Sequence, residues 1–199
     1  HIDSLIDLES VLNKKYKKGS DVARDVKKLL NNTHAFSGGF VPKSMIGTFY
    51  KTFDLEEFFK LLKKTNTIDD IRYLLEIAVE HGFKNKKSST PNYNQAAIFV
   101  SAWLAAAQPS KFIAWRLGRW NHFSQVLDLN THQKRSKEKA ECIYESSVYA
   151  NDLLQNLSAS YKRHGLRLVS GLIAYASYYS SKSIYNFLSE PQSEGNDSL

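Results

Sequence analysis

The stretch QAAIFVSAWLAAAQPSKFIAWRLGRWNHFSQVLDL, residues 95–129, decides the fold of this chain. Its first part, residues 96–107, is a run of small and large apolar side chains that predicts a buried helix. A short polar turn that includes Pro109 then ends the run. Aromatic and basic residues at helical spacing follow over residues 115–127 and predict an amphipathic helix. We expect the rest of the chain to pack around this pair, with residues 98–107 at the centre.

Helical patterns also run through the rest of the chain. Apolar side chains recur at intervals of three and four over residues 2–12, 22–30, 44–52, 55–62, 68–79, 142–157 and 161–179. Two pairs have the spacing of a capping box: Asp54 with Glu57, and Thr67 with Asp70. Ser136 is a candidate cap for a further helix, which we expect to bury Cys142 and Val148. The sequence therefore predicts an all-α fold, a compact bundle of about eight to ten helices of uneven length around a central buried helix.

Length and composition predict one domain followed by a tail. The chain has 199 residues, which is an ordinary size for a single domain. We expect residues 1–188 to form one helical domain. Residues 189–199, SEPQSEGNDSL, have the composition of a linker or a disordered tail. Because the chain begins with His1, we also expect it to be a piece of a longer protein.

The charge of the chain favours an anionic partner. The formal net charge is +7 and the pI is about 9.3, which suits a nucleic acid or an acidic membrane surface. A basic surface without any partner is equally compatible with these values. No apolar run reaches the roughly 18 residues of a membrane span, so we expect no membrane partner. A single cysteine excludes an internal disulfide framework and predicts a cytoplasmic protein.

The sequence shows no catalytic or metal-binding motif. The six histidines are scattered along the chain, whereas metal ligands must cluster around one centre. No nucleophile elbow and no cysteine–histidine signature is present, so Cys142 is expected to be a small core residue. We therefore predict that the chain is not an enzyme by itself and that it needs no cofactor or metal.

Basic residues in three places are the candidate binding residues. Arg116 and Arg119 lie between aromatic residues, and on a helix Arg119 would neighbour Trp115 while Arg116 would neighbour Trp120. Such arginines can bind phosphates and stack on bases, or they can pack their stems on core rings. The other candidates belong to two basic loops: Lys84, Lys86 and Lys87 in the first, and Lys134, Arg135 and Lys137 in the second. A Gly-Gly loop at residues 38–39 is a further place where a backbone could approach phosphate, although ordinary turn chemistry explains it as well.

The second half of the chain resembles the N-terminal helical region of McrB-type AAA+ restriction ATPases. The resemblance rests on an apolar helix at residues 99–107, a Pro-Ser-Lys-Phe turn at residues 109–112, and an aromatic and basic helix at residues 115–127. A helix around Cys142 and another over residues 153–175 follow in the same order. Residues 1–90 have no counterpart in this resemblance. It implies a domain that recognises DNA, with or without modified bases, beside motor and nuclease subunits that lie outside this chain.

Three functions are therefore compatible with the sequence. The first is a DNA-binding specificity domain of a bacterial defence or restriction protein, which is not catalytic by itself. The second is a helical protein–protein interaction or oligomerisation module, whose charge only aids solubility. The third is an enzyme acting on a nucleobase, which the missing helix-hairpin-helix motif and the missing metal ligands disfavour.

Overall fold

The computed structural model describes residues 2–14, 25, 41–85, 88–156 and 165–176. Within these residues the chain forms eight α-helices and no β-strand. The helices are α1 (Ile2–Asn13), α2 (Lys43–Thr52), α3 (Leu55–Lys64), α4 (Ile68–His81), α5 (Tyr93–Ala107), α6 (Leu117–Val126), α7 (Lys139–Gln155) and α8 (Gly165–Ala176). The prediction of an all-α bundle is confirmed.

Some predictions fall on residues that lie outside the described part of the chain. These are the helix predicted over residues 22–30, the Gly-Gly loop at residues 38–39, the tail at residues 189–199, and two of the candidate binding residues, Lys86 and Lys87.

Helix α5 is the centre of the bundle, as the sequence predicts. Ten of its fifteen residues are buried, and it packs against α1, α3, α4 and α7. A helix that is apolar on every side has no solvent-facing stripe, so neighbours can cover it all round. Asn92 begins it by accepting a hydrogen bond from the backbone N–H of Gln95. At the other end, Nε2 of Gln108 donates to the carbonyls of Leu62 and Thr65, at 2.7 and 2.8 Å, and thereby ties α5 to the end of α3.

Aromatic rings fill the space between α2, α3 and α5. The ring of Phe49 in α2 lies 4.9 Å from that of Phe58 and 5.1 Å from that of Phe99, in edge-to-face geometry. Such pairs stabilise a core beyond the area that they bury. The indole of Trp103 donates a hydrogen bond to the hydroxyl of Tyr50 at 3.0 Å, so its polar atom is satisfied in the interior. Burial raises the pKa of Tyr50 well above its ordinary value.

The start of α4 follows the predicted capping pattern. Thr67 accepts a hydrogen bond from the backbone of Asp70, and the Asp70 carboxylate accepts one from the backbone of Thr67, so the capping box is confirmed. At the end of α4 stands Gly82, where a Cβ atom would lie 2.6 Å from the carbonyl oxygen of Met45 and 2.8 Å from the nitrogen of Phe49. Glycine is therefore required there because α2 approaches the backbone closely.

Helix α6 begins later than the sequence predicts. Its first residue is Leu117, and Arg116 precedes it in extended conformation with φ −153°. Trp115 also lies before the helix, so the expectation that Trp115 and Arg119 are neighbours on one helical face is wrong. The same holds for Arg116 and Trp120, which are linked instead by the first backbone hydrogen bond of the helix, at 2.8 Å.

A buried, non-helical segment at residues 112–116 precedes α6 and includes the first two residues of the helix predicted over residues 115–127. Three serine hydroxyls from three helices accept its backbone N–H groups: Ser147 of α7 from Ile113 at 3.3 Å, Ser170 of α8 from Ala114 at 3.2 Å, and Ser101 of α5 from Trp115 at 3.0 Å. A buried backbone needs such partners wherever it leaves regular secondary structure. The serines therefore stabilise a non-helical backbone up to Trp115, the residue at which the sequence predicts that the helix begins.

Helix α7 also differs from the prediction at two points. It begins at Lys139 behind Glu138, so Ser136 does not cap it. Glu138 makes no side-chain cap either, because its carboxylate binds the guanidinium of Arg72 in α4, with Oε2 and Nη2 2.8 Å apart. Val148 was expected in the core but is 45% exposed, whereas Cys142 is buried as predicted.

Candidate functional site

The structure places the candidate basic residues in different surroundings. Lys134 and Arg135 are exposed in the loop between α6 and α7. Arg116 and Arg119 are half-buried at the start of α6. Lys84 is exposed but lines a cleft of about 650 Å³ between α2 and the end of α4, which no residue of α6 lines. Lys84 therefore belongs to a different surface from the other four.

The loop at residues 130–138 carries two adjacent exposed cations, Lys134 and Arg135, and we call its residues 134–137 the basic turn. The backbone N–H of Lys137 donates to the carbonyl of Lys134 at 3.1 Å, which closes the turn. This bond places Lys134 and Arg135 next to each other at the surface. Among the described residues, the side chains of Lys134, Arg135 and Arg119 form no ion pair or hydrogen bond.

Helix α6 binds the start of this loop. The side-chain amide of Asn121 pairs with the backbone of Gln133 in both directions, since it donates to the carbonyl and accepts from the N–H, each at 2.8 Å. The indole of Trp120 donates to the carbonyl of Thr131 at 2.9 Å. The basic turn is thereby attached to the helix that carries Arg119.

The side chain of Gln133 anchors the loop in the protein interior. It is 5% exposed and uses all of its amide groups. Oε1 accepts a hydrogen bond from the indole of Trp115 at 3.0 Å, while Nε2 donates to the carbonyl of Cys142 at 3.1 Å and to Oγ of Ser146 at 2.9 Å. Buried amides are tolerated when they are satisfied in this way, and they then fix the geometry around them.

The side chain of Lys139 holds the other end of the basic turn. It is 8% exposed, and its ammonium donates to the carbonyls of Arg135 and Lys137, at 2.8 and 2.7 Å. Lys139 therefore binds the backbone of the turn from its buried side. Lys137 is half-buried, and its ammonium binds the carboxylate of Glu145. That hydrogen bond raises the pKa of Lys137. Of the four cations at residues 134–139, two are engaged within the protein and two face outward.

The charge of this surface is strongly one-sided. Residues 116–136 contain four arginines and lysines but a single carboxylate, Asp128. Of the carboxylates that follow along the chain, Glu138 is paired with Arg72 and Glu145 with Lys137. The pairing with Arg72 lowers the pKa of Glu138. Glu138 therefore forms an ion pair with a residue of another helix.

The aromatic residues near the arginines are not available to a ligand. The four rings of Phe112, Trp115, Trp120 and Phe123 are each no more than 2% exposed. Both of the indole N–H groups in this set donate within the protein. These rings fill the core, which was the alternative to base stacking that the sequence left open.

The positioning residues of this surface could not be recognised in the sequence. Gln133, Lys139 and Asn121 are polar residues in or beside an irregular segment, with no motif around them. Their roles depend on the packing of α6 against the loop and on the carbonyls that the loop presents. The charge run at residues 134–139 was the sole sequence signal of the surface.

The described residues offer no sign of metal or thiol chemistry. No group of three or more histidine, cysteine or acidic side chains is placed to hold a metal ion among them. Cys142 is buried, and burial raises the pKa of its thiol, which lowers its reactivity. Within the same residues no helix combines the length and the apolar character that crossing a membrane requires.

Comparisons with protein-family models, with curated proteins and with solved structures found no match to this chain. The resemblance to McrB-type AAA+ restriction ATPases thus stays a prediction. The function must be inferred from the surface described above.

Proposed function

We propose that this chain binds DNA, and that the surface formed by α6 and the basic turn makes the contact. The observation that carries the proposal is the pair Lys134 and Arg135, exposed side by side on a turn that buried side chains hold in place. Arg119, on the helix to which the loop is bound, is a further candidate for a phosphate contact.

Phosphate contact is the mode of binding that this surface favours. Lysine binds phosphate as a point charge and arginine binds it through two parallel hydrogen bonds. Base stacking on single strands needs exposed aromatic rings, and those of residues 112–123 are buried. We therefore expect the surface to bind duplex DNA, whose charge density is higher, more tightly than a single strand of equal length.

The biological setting of this activity follows from the resemblance and is part of the proposal. In it the chain is the DNA-recognition domain of a cytoplasmic bacterial defence or restriction protein, and separate motor or nuclease subunits act on the bound DNA. The chain is not catalytic in this role and needs no cofactor. Recognition of a sequence or a modified base would require residues other than those of the basic turn, because phosphate contacts carry no sequence information.

A salt titration of duplex binding tests the proposal. We expect affinity to fall steeply with salt, and the slope of log affinity against log salt to lose about 0.9 for each phosphate contact removed. The double variant Lys134→Gln/Arg135→Gln should therefore bind about 10–100-fold more weakly at about 0.1 M salt, with a slope lower by about 1.8. Fluorescence anisotropy with a labelled duplex of about 20 base pairs measures both quantities.

The matched control changes the same charge on another surface. Lys60 and Lys64 are exposed on α3, so Lys60→Gln/Lys64→Gln lowers the net charge equally. If net charge alone attracted DNA, both double variants would lose the same affinity. Absence of duplex binding by the unmodified chain at low salt would overturn the proposal altogether.

A second candidate function is a protein–protein interaction module. Tyr73 on α4 is 59% exposed and Val148 on α7 is 45% exposed, and these two helices pack against each other. Exposed apolar side chains of this kind can mark a docking surface. Light scattering distinguishes the two functions, since self-association gives a mass that rises with concentration while nucleic acid is not retained.

A further inference from the structure

We infer that Lys139 and Asn121 are positioning residues that hold the basic turn in the conformation in which it meets DNA phosphates. This inference rests on the proposed function, because it explains how the same surface binds. It goes further in assigning a role to two residues that do not themselves contact the ligand.

The geometry around the turn carries the inference. The ammonium of Lys139 lies beneath the turn and donates to two of its carbonyls, those of Arg135 and Lys137. Asn121 binds both backbone groups of Gln133, the residue immediately before the turn. The turn is therefore fixed from both sides, while the two side chains that it presents, Lys134 and Arg135, point away from these bonds into solvent.

The burial of Lys139 supports a positioning role over a direct one. Lys139 is 8% exposed, and its described partners are carbonyl oxygens rather than a carboxylate. A buried ammonium costs free energy unless its hydrogen bonds compensate for lost hydration. Those bonds go to the turn, so the arrangement stabilises one conformation of the turn in the free protein. Binding then requires less ordering of the backbone, which increases affinity without adding a contact.

Two single substitutions separate positioning from charge. Lys139→Met keeps the aliphatic stem and removes the ammonium that binds the turn. Lys60→Met is the matched control, because Lys60 carries the same charge but is exposed on α3, outside the basic turn. Each variant lowers the net charge by the same amount.

We expect Lys139→Met to weaken duplex binding about tenfold, since backbone freedom returns to the turn. Its salt slope should stay that of the unmodified chain, because no phosphate contact is lost. Lys60→Met should weaken binding no more than about twofold to threefold. Equal losses in the two variants, or a lower slope for Lys139→Met, would show that Lys139 acts through its charge and overturn the inference.

Amide hydrogen exchange gives a readout that is independent of DNA. The N–H of Lys137 donates within the turn, so its protection should fall in Lys139→Met while that of Cys142, in α7, is kept. Unchanged protection of the Lys137 amide would overturn the inference even if DNA binding is lost. Failure of the unmodified chain to bind duplex would instead overturn the proposed function and leave the exchange result standing.

Asn121→Ala provides a second variant in case Lys139→Met does not fold. It removes both bonds to Gln133 and should weaken binding in the same direction with the salt slope unchanged. His122→Ala, at the next position and exposed, removes a side chain of similar size without touching the loop backbone. If Asn121→Ala binds as tightly as the unmodified chain, the loop does not need to be held and the inference fails.

Discussion

The indole N–H of Trp115 and the side-chain oxygen of Gln133 are hydrogen-bonded in the protein interior, 3.0 Å apart. Trp115 belongs to the buried non-helical segment before α6, and Gln133 belongs to the loop that carries the basic turn. One bond therefore links a non-helical part of the core to the loop that exposes Lys134 and Arg135. Both residues are at most 5% exposed, so water cannot take the place of either hydrogen-bond partner if the other is removed.

Replacing Gln133 tests how much this link contributes to stability. In Gln133→Met the indole of Trp115 loses its hydrogen-bond partner while the volume of the side chain is kept. Leaving a buried polar group unsatisfied costs about 1–3 kcal/mol, and we expect a loss of that size in the free energy of unfolding. Urea denaturation measures it, with Gln125→Met on the exposed face of α6 as the control. Equal midpoints for the two variants would contradict the assigned role.

The serine hydroxyls that bind residues 112–116 lead to a second prediction. Ser101 accepts from the N–H of Trp115 at 3.0 Å and is fully buried, so Ser101→Ala leaves that N–H without a partner. We expect a loss of about 1–3 kcal/mol in the free energy of unfolding. Ser110→Ala, in the exposed turn after α5, should change stability by less than about 0.5 kcal/mol. Thermal and urea unfolding of both variants test the difference.

These serines also show why part of the core could not be predicted. Helix α5 could be recognised in the sequence because its apolar residues are contiguous and a polar turn with Pro109 ends the run. The non-helical segment at residues 112–116 overlaps the start of the predicted helix, and its hydrogen-bond partners lie 14, 34 and 56 positions away. Such partners become visible only when the helices have been packed.

The candidate site was predictable to a different degree. The cations at residues 134–137 are visible in the sequence, because charge is a local property. The sequence does not show that Lys134 is exposed while Lys137 and Lys139 bind within the protein. That difference depends on where Glu145 and two backbone carbonyls lie. The aromatic residues beside Arg119 suggested a stacking surface, yet their size makes them core residues once neighbouring helices cover them.

Substitution of glycine by alanine is expected to have opposite effects on stability at Gly82 and at Gly47. A Cβ at Gly82 would lie within 2.9 Å of three atoms of Met45 and Phe49, two of them backbone atoms. Gly82→Ala should therefore destabilise the protein by about 1–3 kcal/mol. At Gly47, inside α2, a Cβ meets nothing within 4 Å, so Gly47→Ala should stabilise by about 0.5–1 kcal/mol. Thermal unfolding checks both, and a stabilising Gly82→Ala would contradict the close approach of α2 and α4.

The capping box of α4 predicts a pH dependence of stability. The backbone N–H groups of Asn66 and Thr67 donate to the Asp70 carboxylate, at 2.8 and 2.9 Å, and lower its pKa. A carboxylate whose pKa is lower in the folded state stabilises that state above its unfolded pKa, and this contribution disappears as pH falls through the folded pKa. We therefore expect Asp70→Asn to reduce the loss of stability that acid causes below about pH 4.

Urea midpoints at neutral pH and at about pH 3 measure the effect of Asp70→Asn. The companion variant Thr67→Ala removes the other half of the box and should cost about 1 kcal/mol at both values, because a hydroxyl does not titrate. If Asp70→Asn and the unmodified chain lost the same stability on acidification, the carboxylate would not be engaged as the structure shows.

Arg119 gives the last prediction, which separates its two possible roles. It is half-buried on α6, and its side chain makes no ion pair or hydrogen bond with other described residues. If it binds phosphate, Arg119→Ala lowers the salt slope of duplex binding by about 0.9 and leaves thermal unfolding unchanged. If it packs its stem on the core, the variant melts earlier and binds with the same slope. We expect the first outcome. Gln125→Ala, at an exposed position on the same helix, controls for the loss of a long side chain. The double variant Arg116→Ala/Arg119→Ala should weaken duplex binding further without unfolding the domain.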